Sequence, residues 1–407
     1  MRRAWILAAF VLASPPLLLA CLWDRDTPAD EAKGLPDVVA VLTGRFPRNP
    51  PLFYEMRLER VEKRLIEHPR DLAAYDDAGV ACDRLGRGDE AIAWMERKRK
   101  LLDTWPDGAE SREHTYRYHA NLGTFLVHRW VRAGADRAKL DEVRSARDEI
   151  ARAIAINPDA HFGRESYQLR FLDWLLTPPP LAGFEDLPNF LGIRDQVEVG
   201  AMDPAEARKA VLGLSGLIVL GNAWESIDVY NALKMALGQD TQGFSPERAG
   251  GRNSLAYYAW LRCKELIQDG RGSMIPDAPR GEALTAWIRR PDFVQLEDVH
   301  EAPYHDLRRE ADAWQEARTR FMTARLQQGR HPDDDPEFWT GYTEPPPPSL
   351  PAISPSVSHQ QAMNWRILRA KFVLGGIGAV VLGLVLSPLW IRLFRRRRGK
   401  AATIPEL

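Results

Sequence analysis

Apolar residues recur at intervals of three and four along both halves of the chain, as in Val61 and Leu65 within EMRLERVEKRLIEHP and Ala146, Ile150 and Ala153 within SARDEIARAIAINPDA. That spacing places them on one face of a helix. GLSGLIVLGNAWESIDVYNALKMAL and SLAYYAWLRCKELI, further on, are rich in helix formers as well. Runs of alternating β-branched residues are nearly absent, so the pattern predicts an all-α fold.

Breaks in this pattern divide the chain. TPPPLAGFEDLP, Thr177 to Pro188, interrupts the helical periodicity and separates a region at 52–176 from a second helical region at 189–340. TEPPPPSLPAISPSVSHQ, Thr343 to Gln360, removes backbone donors and fixes φ, so 341–365 is expected to be an extended spacer. Beyond it FVLGGIGAVVLGLVLSPLWI, Phe372 to Ile391, carries no charge and is long enough to cross a bilayer, which predicts one transmembrane helix within 371–394. Arg392 and Arg395 to Arg398 behind the span outweigh Arg366, Arg369 and Lys371 before it, so the basic tail 395–407 is expected in the cytoplasm and the body outside it. Within the span Gly375, Ala379, Gly383 and Ser387 recur every four residues, a ridge of small side chains suited to packing or self-association of membrane helices.

The N-terminus has the layout of an export signal over 1–20, with Arg2 and Arg3 before an apolar stretch, and a linker at 21–51. LLAC, Leu18 to Cys21, resembles the lipobox of bacterial lipoproteins, which implies acylation at Cys21 and a location on the bacterial cell membrane. Cleavage after Ala20 by ordinary signal peptidase, or retention as an uncleaved anchor, is equally compatible with the sequence.

Within the first helical region, AYDDAGVACDRLGRGDEA places small and large residues at counted intervals. With Tyr75 as the fourth residue of a 34-residue unit, Ala78 and Gly79 take positions seven and eight, Cys82 eleven, Ala91 twenty and Met95 twenty-four. A second unit has Leu122, Gly123 and Leu126 in its first helix and Ala146, Ile150, Ala153 and Pro158 in its second. About eleven residues around Val131 to Lys139 are inserted between them. This pattern resembles the tetratricopeptide repeat, a helix-turn-helix in which small residues let two helices approach. The resemblance implies a solenoid scaffold with a concave groove for a protein or peptide partner. The groove positions it implies are Asp76, Val80, Asp83 and Arg84 in one unit and Arg117, Thr124, Val127 and His128 in the next. The expected function is therefore a membrane-anchored adaptor acting outside the cytoplasm. The alternative is a structural accessory subunit of a membrane complex for secretion, cytochrome maturation or transport.

Composition narrows the remaining chemistry. Lys and Arg total 55 against 56 Asp and Glu, a net charge of -1 that offers nucleic acid no global attraction. Cys21, Cys82 and Cys263 are too few and too scattered for a disulfide framework or a zinc site, and Cys82 falls on a core position. HEAPYH, His300 to His305, spaces its histidines wrongly for a zinc protease, and Pro303 is expected to break the helix there. HPDDDPE, His331 to Glu337, lacks the glycine of a calcium loop and reads as a solvated turn. No phosphate loop, dinucleotide fingerprint or nucleophile elbow is present, so no enzyme activity, metal or cofactor is expected.

Overall fold

The computed structural model describes residues 22–27, 34, 36–158, 163–181, 186–193, 202–239, 252–291 and 297–346. Among these there are twelve α-helices and no strand. The expected export signal, Cys21, the expected span with Gly375, Ala379, Gly383 and Ser387, and the basic tail lie outside the described residues. Among the described residues no helix is long and apolar enough to cross a membrane. Met1–Ala352 forms one compact unit; Ile353–Leu407 is counted apart from it.

A short helix, α1 (Val38–Thr43), is capped at its start by the Asp37 carboxylate and ends at Gly44 in the left-handed conformation, φ 82°. The stack then runs α2 (Pro51–Glu67), α3 (Leu72–Arg84), α4 (Gly88–Leu102), α5 (Ala109–Arg132), α6 (Leu140–Ile156) and α7 (Arg164–Leu176). It continues with α8 (Pro204–Val219), α9 (Ile227–Gln239) and α10 (Arg252–Gln268). Each of these helices from α2 to α10 packs on its neighbours in sequence.

Local chemistry sets the boundaries. Pro51 opens α2 at a position where the missing N–H costs nothing, and the Asp71 side chain caps α3 by accepting from the Ala74 N–H. Gly86, with φ 77°, makes the turn between α3 and α4. The stretch read as one helical run from Gly213 to Leu237 is divided between α8 and α9, with Asn222 left-handed between them at φ 62°.

Two glycines sit where neighbouring helices approach closely. A Cβ on Gly79 would lie 2.9 Å from the Met95 methyl and 2.9 Å from the Phe125 ring, so Gly79 meets α4 through Met95 rather than through Ala91. In the next pair a Cβ on Gly123 would lie 2.9 Å from Ile150 and 2.8 Å from the Ala146 carbonyl oxygen. Gly79 and Gly123 thus each make a close approach to the following helix of their pair. The insertion between α5 and α6 is taken up by the extended end of α5 and by a 3-10 turn at Arg137–Lys139.

α11 (Glu282–Trp287) sits on α10, and the last helix, α12 (Glu297–Leu326), packs against α10, α1 and α2. α12 therefore joins the end of the stack to its beginning. Pro303 does not break it: the helix runs through this residue, near its start. The proline-rich stretch after α7 is a connection between packed helices, since Phe171 and Leu172 share one hydrophobic core with Leu214, Leu217, Tyr230 and Leu261. A second core holds Leu58, Val61, Ala78, Cys82, Ala91, Met95 and Phe125.

Candidate functional site

The inner face of α3 and α5 is filled rather than open. Ten of the thirteen residues of α3 are buried, because α2, α4 and α5 all pack on it and an N-terminal segment covers what is left. Of the expected groove residues, Asp76, Val80, Asp83, Thr124, Val127 and His128 are all buried. Arg84 and Arg117 are half-buried.

The buried polar groups among them are engaged inside the body. Lys98 Nζ donates to both Asp76 carboxylate oxygens at 2.6 Å, and Asn121 Nδ2 donates to Asp76 Oδ1 at 3.2 Å. Burial holds the Lys98 ammonium below its ordinary range even against the neighbouring carboxylate. Asp83 accepts from Arg132 at 2.7 Å and faces His128 Nδ1 at 2.8 Å. Burial pushes the Asp83 carboxyl up, but His128 and Arg132 outweigh it and hold the group below the usual carboxylate range. Burial likewise keeps His128 below its ordinary value, with the Asp83 carboxylate opposing the shift. Gln168 of α7 donates to Thr124 at 3.2 Å, and Arg84 reaches the Leu220 carbonyl oxygen at 3.1 Å. Val80 and Val127 are core residues.

Residues 22–27 lie against α2, α3 and α5 and bond to side chains of all three. Leu22 enters the core beside Leu58 and Ala78. The Trp23 N–H donates to Asn121 Oδ1 at 2.7 Å, and Asn121 Nδ2 donates back to the Trp23 carbonyl oxygen at 3.0 Å. The Trp23 indole N–H donates to the Tyr116 hydroxyl at 3.2 Å, and the Arg117 guanidinium lies 4.7 Å from the indole centre, within cation-π range. Arg117 is the one expected groove residue that touches the segment in this way. One step on, the Arg25 N–H and Nε donate to the Asp77 carboxylate at 2.8 and 2.7 Å. Burial pushes the Asp77 carboxyl up to about 6, with Arg25 opposing the shift.

The segment then turns, and its two acids meet Arg57 on α2. The Arg57 side chain is 1% exposed and donates to Asp24 at 3.1 Å and to Asp26 at 2.8 Å. It also donates to Asp333 at 2.6 and 2.9 Å. Burial would raise the Asp333 carboxyl, and the Arg57 guanidinium beside it keeps it below the usual range. HPDDDPE is therefore not a solvated turn. His331 is fully buried, stacks on Phe53 with centroids 4.6 Å apart and reaches the Phe53 carbonyl oxygen at 3.0 Å, while Asp334 pairs with Arg60. Its aspartates pair with arginines, Asp333 with Arg57, Asp334 with Arg60 and Asp335 with Arg330.

Asp77, Asn121, Arg57 and Tyr116 escaped the sequence reading. One signal was available for two of them: the interval from Asp77 to Asn121 equals that from Gly79 to Gly123, so both occupy position six of their units. Arg57 carried none, because its partners lie 31 to 276 residues away.

Other candidate chemistry is structural in character. Cys82 and Cys263 are buried, and burial pushes both thiols up to about 12. Among the described residues no group of three His, Cys, Asp or Glu side chains could hold a metal ion. Compared with family models, with curated proteins and with solved structures, the chain matches none.

Proposed function

We propose that this protein is a membrane-anchored helical scaffold that holds a protein partner on the extracytoplasmic side of a bacterial membrane. The observation that carries the reading is the pair of helix hairpins, close at Gly79–Met95 and Gly123–Ile150, whose inner face holds main-chain groups of residues 22–27 through Asp77 and Asn121. Side chains that bind main-chain groups suit a surface that receives a polypeptide. The charge-free run from Phe372 to Ile391 and the arginines behind it support the anchor and its direction.

A second reading, a structural subunit of a larger membrane assembly, is favoured by the internal pairing of Asp76, Asp83 and His128, which leaves that part of the inner face closed. Replacing Phe372–Ile391 with an unrelated span separates the two. An adaptor keeps its partner through co-purification, and an accessory subunit loses its complex. Orientation is tested by cysteine labelling of intact cells: a cysteine at Ser358 reacts and one beyond Arg398 stays protected. The reverse pattern refutes an extracytoplasmic body.

A further inference from the structure

The contacts of residues 22–27 have the character of ligand recognition. Two buried side chains from successive hairpins, Asp77 and Asn121, hold main-chain N–H groups of alternate residues, Arg25 and Trp23, and Asn121 also holds a carbonyl. Such a grip reads an open chain by its backbone, whatever its sequence. Sequence preference comes from two further places. Tyr116 and Arg117 meet the Trp23 ring at its edge and face, and Arg57 takes the acids at Asp24 and Asp26.

None of these pairings is local. The segment lies 98 residues from Asn121, 52 from Asp77 and 31 to 33 from Arg57. Leu22, Trp23 and Thr27 are themselves buried, so the segment closes the face on which it lies. Its one charged contact with a half-open flank is Asp26, whose side chain is 42% exposed.

We infer that the inner face of α2, α3 and α5 is a peptide site whose resident ligand in cis is Leu22–Thr27, and that it takes in trans a partner segment of the same chemistry. That segment is a short chain with an aromatic residue followed by acids at the next and third positions, turning after the first acid as Asp24–Thr27 does. The proposal rests on the scaffold reading and supplies the partner's chemistry. The cis segment then acts as a competitor that sets the threshold for binding, because the apparent affinity for a trans segment falls with the fraction of sites left open.

The test uses the purified full chain in detergent and a fluorescein-labelled peptide, LWDRDTPADEAK, copying residues 22–33, read by fluorescence anisotropy. Wild type is expected to bind it weakly. The variant Trp23→Ala/Asp24→Ala/Asp26→Ala, with its own segment disabled, binds it about tenfold more tightly or better. That gain is lost when Asn121→Ala is added or when the tryptophan of the peptide is replaced by alanine. Should the triple variant lose its helical circular dichroism, Asp26→Asn decides alone, with an expected gain of about twofold or more. No gain in a folded variant, or a gain indifferent to Asn121→Ala, overturns the site. So does a dimer that excess free peptide fails to dissociate, since the occupant is then the segment of a second copy. Because the probe is a free peptide, its failure is distinct from a failed span replacement, which bears on the scaffold reading alone.

Discussion

Three glycines inside helices are predicted to respond to the same substitution in three different ways. Replacing glycine by alanine in a helix interior gains about 1 kcal/mol from backbone propensity alone. At Gly216 the new Cβ would lie 3.5 Å from the Arg164 Cβ, an ordinary contact, so most of that gain is kept. At Gly79 the Cβ would come 2.9 Å from the end of the Met95 side chain and from the Phe125 ring edge; the methionine can swing away, the ring less easily. At Gly123 it would come 2.8 Å from the Ala146 carbonyl oxygen, which cannot move without displacing α6. Overpacking of this kind costs about 1–3 kcal/mol, which exceeds the propensity gain. The expected order of stability is Gly216→Ala above wild type, Gly79→Ala near or slightly below it, and Gly123→Ala below it by about 1–2 kcal/mol. For a body of this size that last change lowers Tm by a few degrees, on the order of 2–4 °C per kcal/mol. Thermal melts of the full chain in detergent, followed by far-ultraviolet circular dichroism, measure it. A Gly123→Ala protein that melts at or above the Gly79→Ala protein refutes the assigned crossing of α5 and α6.

Lys98→Met strands the Asp76 carboxylate in the interior and is expected to cost about 3–5 kcal/mol in denaturant unfolding, with much of the loss recovered when Asp76→Leu is added; a cost below about 1 kcal/mol refutes the buried pair. Asp228 is enclosed and accepts from Ser273 Oγ at 2.6 Å and the Met274 N–H at 2.8 Å, and burial pushes its carboxyl up to about 6 despite those bonds. The unfolded chain loses this proton at about pH 4, so the folded state holds more protons between about pH 4 and 6, and stability falls as pH rises through that window. Asp228→Asn removes this dependence, so its Tm relative to wild type should climb between those pH values by the equivalent of about 1–3 kcal/mol; parallel profiles refute it.

Small residues made the first two hairpins legible. Gly79 and Gly123 sit on first helices at positions where only a hydrogen fits, and they recur in register with Met95 and Ile150. The α7–α8 pair reverses this device: its glycine, Gly213, lies on the second helix and receives the Tyr167 ring from the first, so a scan keyed to small residues in first helices passes over it. The inner face was misread for a different reason. Asp76, Asp83 and His128 show the polar spacing of a wetted helix face, and their partners Lys98, Arg132 and Asn121 come from other helices. A sequence displays a polar stripe in the same way whether water or another side chain satisfies it.

Arg57 joins Asp24 and Asp26, near the start of the folded body, to Asp333, near its end. In mechanical terms it is a shear pin. Tension drawn through the chain from the N-terminal side reaches Arg57 once Leu22 and Trp23 have slipped, and tension from the C-terminal side reaches it once the stretch around Phe338 has peeled away. Either pull would load the bridges from Arg57 and Arg25 to Asp333. A body tethered to a membrane at both ends would therefore yield first at a bond whose release uncovers its inner face, leaving the helix pairs intact behind it.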